Sequence, residues 1–346
     1  VLTNHHCVRQ CLQELSGPAR DLQDAGFLAR DRAAEERCAA VQASILERIE
    51  EVTPAVRAAV GDGAGPAANE RRKAALTRLV EACEADWRRR GDPHACEAVT
   101  LYGGGQYFLY KYKRYDDVRL VLAPEADIAS FGGDPDNFQF PRWSLDFSML
   151  RAYENGKPAK TPDHLPISFA GPAAGQLVFV SGHPGSTARL ETRAELEFER
   201  DLALPIWLLR YSELRGRYIE FGKTGEAAAR IVEAPLNSLE NGIKVRRKLQ
   251  DALHEDSLLE GKGAAEAALR AKMAGDTGFG DPWADIAKAT GIERGLYLPY
   301  LFLEGAGGFN SATFRYARAL VRAAAERGKP NTERLREYTD SALPRL

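Results

Sequence analysis

The feature that most constrains this chain is a double change of hydrophobic period. Cys38, Val41, Ile45 and Ile49 recur at gaps of three and four. After the break Gly61-Asp62-Gly63-Ala64-Gly65-Pro66, so do Leu76, Leu79, Val80, Cys83 and Trp87. Such gaps place each set on one stripe of a helix, so the spacing predicts a helical hairpin within a segment at about residues 9–95. Near Ala98 the period becomes two. Residues 107–112 and 118–122 are rich in aromatic and aliphatic side chains and read as strands, joined by Arg114-Tyr115-Asp116-Asp117. Further strands are expected at Asp146 and over 165–169 and 177–180. A hairpin turn is expected at Glu154-Asn155-Gly156-Lys157, because Asn-Gly tolerates the positive φ of a two-residue loop.

From about Glu191 the pattern is helical to the end. Helices are expected over 196–217, broken or kinked at Pro205, over 230–253, 266–273 and 311–327, and from Thr332, which carries an N-cap-like signal. The fold class is therefore α+β: an antiparallel β domain with a helical insertion over 1–190, then an all-α domain over 191–346.

Composition narrows the function. The chain has 346 residues and a formal net charge of −2. That near-neutral balance offers nothing to nucleic acid or to an anionic membrane surface. No apolar run approaches the roughly 20 residues of a membrane span. Gly103-Gly104-Gly105 lacks the lysine and following helix of a phosphate loop, and no cofactor motif is present. The five cysteines, Cys7, Cys11, Cys38, Cys83 and Cys96, contain no Cys-x-x-Cys pair, which argues against a structural zinc site. They read as disulfide partners in an oxidising compartment, with no pairing fixed by spacing, the alternative being that some are small buried apolar residues.

Two segments carry candidate chemistry. Val1-Leu2-Thr3-Asn4-His5-His6-Cys7 is a short apolar run that ends in histidines, and Asp146-Phe147-Ser148-Met149-Leu150-Arg151 opens a strand with a carboxylate. A neutral imidazole can take a hydroxyl proton and return it to a leaving amine; a carboxylate behind it fixes the tautomer and stabilises the imidazolium. On a strand His5 would face away from His6, so it reads as structural. The same alternation argues against joint metal chelation by His5, His6 and Cys7. Between the two segments, Phe131 to Trp143 is dense in Gly, Pro, Asp and Asn, the composition of a functional loop.

Asn4-His5-His6-Cys7 resembles the Ala-Ala-His-Cys segment that carries the base in chymotrypsin-like serine proteases, and the Asp146 segment resembles the strand carrying their acid. His before Asp is also their chain order. Gly132-Gly133-Asp134-Pro135-Asp136-Asn137-Phe138 with Pro141-Arg142, Leu101-Tyr102-Gly103-Gly104 and Gly182-His183-Pro184-Gly185 complete a likeness to bacterial serine dipeptidyl-peptidases. That resemblance implies a chymotrypsin-like double barrel with a helical cap, truncated here. It implies His6 as general base and Asp146 as its orienting acid. It implies Asn137 and Asn241 as ligands of the substrate's α-amino group, although Asn137 equally suits an Asx turn. Phe138 and Trp143 stand where relatives often carry Trp and His.

No Gly-Asn-Ser-Gly-type nucleophile motif occurs. The chain therefore reads as an N-terminal fragment, inactive alone, of an enzyme that releases dipeptides from free N-termini of oligopeptides. The likeness further implies a periplasmic or secreted location and a homodimer, with a partner for Cys7 upstream of Val1. A non-catalytic peptide-binding scaffold and an endopeptidase of the same fold are the alternatives.

Overall fold

The computed structural model describes residues 1–346 other than 18, 64, 92–93, 131–140, 180–188, 276–277, 279, 310 and 344–346. The described residues form two compact units. One comprises residues 1–130, 141–178 and 316–343; the other is drawn from 179–315.

The first unit opens with β1 (Leu2–Thr3), a 3₁₀ turn over His5–Cys7, α1 (Arg9–Leu15), α2 (Leu22–Ala25), β2 (Phe27–Leu28) and β3 (Glu36–Arg37). It continues with β4 (Ala43–Glu51), α3 (Thr53–Val60), α4 (Pro66–Arg90), β5 (His94–Leu101), β6 (Gln106–Tyr115), β7 (Asp117–Ala123), α5 (Ala126–Ala129), β8 (Ser148–Glu154) and β9 (Lys157–Pro158). Its strands make two antiparallel sheets. One runs β1-β8-β7-β2, with β3 also on β7 and β9 on β8; the other runs β4-β6-β5. Apolar residues facing inward from the first sheet, Val118, Leu120 and Leu150, meet Val8 and Leu12 of the helical turn and α1, all buried. A second core joins Tyr107 and Leu109 of β6 to Val56 of α3, and Leu76, Leu79, Val80 and Trp87 of α4 pack on it.

The five cysteines divide into two bridges and one free thiol. Cys11–Cys38 lies within the first core and Cys83–Cys96 ties α4 to β5, whereas Cys7 is unpaired and exposed. The expected disulfides are therefore present.

The second unit is helical, with α6 (Arg193–Phe198), a π turn over Glu199–Ala203, α7 (Leu204–Gly222), α8 (Glu226–Leu253), α9 (Asp256–Met273), α10 (Pro282–Pro299) and a second π turn over Tyr300–Glu304. α6 starts on a capping box, with Thr192 and Glu195 satisfying each other's backbone N–H groups. α7 and α8 form its most extensive helix pair, and Leu196, Leu204, Leu253 and Leu259 form its buried cluster. α11 (Ala312–Arg327) follows, and from Tyr316 on it belongs to the first unit. No helix among the described residues is long and apolar enough to cross a membrane.

Three expectations are corrected. The segment with Ile45 and Ile49 is not helical but the strand β4, bulged between Leu46 and Arg48. A gap of four fits a period of two as well as 3.6, so Ile45 and Ile49 could not discriminate, and pairing with β6 decided. A helical hairpin does occur, but it is built by α3 and α4 about the Gly61–Pro66 break, with Arg71 Nε donating to the Val60 carbonyl. Residues 165–169 and 177–179 are not strands: Leu165, Phe169 and Phe179 are 84, 96 and 87% exposed, and among the described residues no ladder partner meets them.

The helix expected from Thr332 is replaced by two 3₁₀ turns, Asn331–Glu333 and Arg336–Tyr338. There the Leu335 N–H donates to Glu326 Oε2 and the Asp340 N–H to Asn331 Oδ1, which draws both donors away from a helical ladder. The interruption expected at Pro205 falls just before it, where α6 gives way to the π turn over Glu199–Ala203. Pro205 itself sits in the first turn of α7, where no N–H is needed.

Candidate active site

The antiparallel register of β1 on β8 builds the site. Thr3 pairs with Ser148, so the residues leaving β1 lie beside those entering β8. Asn4 continues extended, and the chain then tightens into the 3₁₀ turn of His5, His6 and Cys7. Successive residues of such a turn point about 120° apart. His5 is thus driven into the interior, 1% exposed, while the His6 side chain stays 60% exposed. The inward placement of His5 matches its structural reading, although a helical turn rather than strand alternation achieves it.

On the other side, residues 142–147 run without regular structure into β8. Leu145 is anchored by donating to the carbonyl of Ile128, and the Phe147 N–H donates to the carbonyl of Leu145. Asp146 is thereby set against the turn. Its Oδ2 accepts from His6 Nδ1 at 2.8 Å and its Oδ1 accepts the His6 backbone N–H at 3.1 Å. Asn4 Nδ2 donates to the Asp146 carbonyl at 3.0 Å and to Oδ2 at 3.3 Å.

Electrostatics agree with this geometry. Partial burial pushes the Asp146 carboxyl upward, but hydrogen bonds from the His6 side chain and backbone, the charge of His6 and the His5 backbone outweigh it, leaving the group below its ordinary value. It is therefore an acceptor only, which places the Nδ1 proton on His6 and leaves Nε2 as the edge that takes a proton. Burial first, and then the charge of Arg9, depress the His5 imidazole, against smaller opposing effects of Asp146 and the Pro124 backbone.

Of the four site residues expected from sequence, His6 and Asp146 are brought together. Asn137 lies outside the described residues. Asn241 lies on α8 of the second unit, half-buried. Its neighbour Gly242 packs against the Tyr211 ring so closely that a Cβ there would come 2.5 Å from Tyr211 Cε2, and the Arg246 guanidinium lies over Trp207 and Tyr211. The contacts of Asn4 are the part of the site that sequence reasoning missed; the available signal was its position two residues before His6.

An exposed imidazole hydrogen-bonded through Nδ1 to a carboxylate can take up a proton at Nε2 and return it. The chain belongs to the peptidase S46 family, whose model matches residues 1–346. It is 33% identical over 232 residues to the Asp/Glu-specific dipeptidyl-peptidase of Shewanella putrefaciens, covering 61% of this chain and 30% of that protein. It is 33% identical over 209 residues to dipeptidyl-peptidase 7 of Phocaeicola vulgatus, covering 57% and 29%. The chain thus spans about 30% of the length of these curated relatives.

Among solved structures, Porphyromonas endodontalis DPP11 in complex with the dipeptide Arg-Asp superposes with a TM-score of 0.70 at 26% identity, over 87% of this chain and 46% of that one. The same protein with Arg-Glu superposes over 99% of this chain and 55% of that one, with a TM-score of 0.71 at 24% identity. The latter likeness shows the shared fold.

Proposed function

We propose that the intact protein is a serine-type dipeptidyl-peptidase that releases dipeptides from the free N-terminus of oligopeptides. The observation that carries this reading is the 2.8 Å bond between His6 Nδ1 and Asp146 Oδ2 in a peptidase S46 chain, with the imidazole exposed to an incoming substrate. His6 is the general base. It takes the proton of a serine hydroxyl as that oxygen attacks the scissile carbonyl, then returns it to the departing amine. Asp146 keeps the imidazole in the Nδ1–H tautomer and stabilises the imidazolium. The nucleophile is a serine outside residues 1–346, since the chain carries no Gly-Asn-Ser-Gly-type motif.

Exopeptidase action requires that the substrate's α-ammonium be held two residues from the scissile bond. Asn137 and Asn241 are proposed for that task, because amide oxygens accept from an ammonium without neutralising it. The two antiparallel sheets of the first unit suit half of a chymotrypsin-like double barrel, and the helical second unit suits a cap. The dipeptides named with the solved relatives support peptide substrates. The two bridges support a periplasmic or secreted location, and a homodimer is proposed on family likeness.

The test is hydrolysis of fluorogenic dipeptide amides, free and N-blocked, by the intact protein and its His6→Ala variant. Cleavage confined to free-amine substrates and lost in the variant is expected. Equal cleavage of blocked substrates would point to an endopeptidase, and no cleavage by folded protein across a broad panel would overturn the reading.

A further inference from the structure

We propose that Asn4 is a positioning residue of this pair, its side-chain amide clamping Asp146 so that Oδ2 is presented to His6 Nδ1; the proposal rests on the peptidase reading above. Asp146 needs such a clamp. Its side chain is about one-third exposed, at 32%, and it stands in irregular backbone two residues before β8 begins. An exposed carboxylate there is free to turn about both side-chain torsions unless donors hold it, and holding it costs rotamer entropy.

Two of its donors belong to His6. The backbone N–H anchors Oδ1, but the donor to Oδ2, Nδ1–H, is on the ring whose charge changes in every turnover, so His6 gives Oδ2 no fixed reference. The Asn4 amide does not titrate. Its contacts with Asp146 are to the backbone carbonyl at 3.0 Å and to Oδ2 at 3.3 Å. Both atoms only accept, which assigns the nitrogen end of the amide to this face without ambiguity. One NH₂ group, with its two protons at a fixed angle, thus bridges the main chain and side chain of the same residue and fixes the torsion between them.

Asn4 is itself held. Its backbone is extended (φ −74°, ψ 152°), it follows β1 directly, and its carbonyl accepts the Cys7 N–H at 3.2 Å. The tether that aims the acid therefore springs from the same turn that aims the base, two residues away. Replacing Asn4 by Ala removes the donor from an exposed position, so the fold is retained. Asn4→Asp keeps the shape and opposes a carboxylate to a carboxylate.

Steady-state hydrolysis by the intact protein tests this with Asn4→Ala, Asn4→Asp, Asp146→Ala and the Asn4→Ala/Asp146→Ala double variant. The expected result is about a tenfold fall in kcat for Asn4→Ala with KM within about twofold, a larger fall for Asn4→Asp, and under about twofold further loss when Asn4→Ala is added to Asp146→Ala. An unchanged kcat, or the same loss on the Asp146→Ala background, would overturn the proposal, because a merely structural role lowers both backgrounds alike. A crystal structure of the intact Asn4→Ala protein decides independently of activity. The carboxylate should turn away from Nδ1, and one left in hydrogen-bond contact sinks the clamp. If the wild-type protein cleaves no dipeptide amide, the peptidase reading falls while this structural comparison still judges Asn4.

Discussion

Both carboxylate oxygens of Asp146 are engaged by a single residue, Oδ1 by the His6 backbone N–H and Oδ2 by His6 Nδ1. The arrangement fixes ring orientation as well as tautomer, because the backbone bond anchors the carboxylate to the turn that carries the ring. Asp146→Asn places an amide in that fork, and its NH₂ end cannot serve both donors. Under the proposed peptidase activity, the expected outcome is a fall of about 10⁴ in kcat of the intact protein, with the circular dichroism spectrum unchanged. A loss below about tenfold would remove Asp146 from the mechanism.

His5 predicts a pH dependence of stability. Burial holds its imidazole below the ordinary value, so between that depressed value and about 6.5 the unfolded chain binds a proton that the folded chain refuses. The contribution of His5 is complete above about pH 6.5 and is lost as pH falls through this window. Urea unfolding from pH 4.5 to 7.5 should show wild-type stability falling toward acid more steeply than that of His5→Leu. Parallel slopes for the two proteins would refute the buried neutral imidazole.

Glu35 predicts a costly deletion far from the site. Its side chain is 2% exposed and accepts from Arg151 Nε at 2.8 Å and from the Tyr153 hydroxyl at 2.7 Å. The Arg119 guanidinium lies 3.9 Å from the centre of the Tyr153 ring. Tyr153→Phe keeps that ring and its cation contact but leaves a buried carboxylate short of one donor. It should cost about 1.5–3 kcal/mol, read by chemical denaturation. A change under about 0.5 kcal/mol would show that water replaces the hydroxyl.

The bridges predict a redox-dependent stability. Cys83–Cys96 closes a loop of 13 residues and Cys11–Cys38 one of 27. Loop-closure entropy alone gives each about 3 kcal/mol. Denaturation with and without a thiol reductant should separate by several kcal/mol, and Cys83→Ser/Cys96→Ser should recover roughly half of that difference. The double variant isolates the tie between α4 and β5 from that in the first core.

What the sequence determined by itself was local or ordered along the chain. The Asn155-Gly156 turn is present with φ of 52° and 73°, because the backbone conformation it needs is intrinsic to those two residues. The stripe of Leu76, Leu79, Val80 and Cys83 yielded α4, long enough that its period could not be mistaken. His6 and Asp146 were legible as a pair only through the resemblance of their segments to those of a known family, and the fold sets the two side chains 2.8 Å apart.

Tertiary structure decided whatever needed a partner remote in sequence. Ile45 and Ile49 became a strand because β6 offered a ladder, whereas residues 165–169, in which Pro166 removes a ladder donor, meet no strand partner among the described residues. The cysteine pairings followed from which cores closed around them. The role of Asn4 depended on a register, Thr3 on Ser148, that sets its amide beside a carboxylate 142 residues away. Hydrogen bonds act over about 3 Å, and such separations in space are created only when the chain has folded.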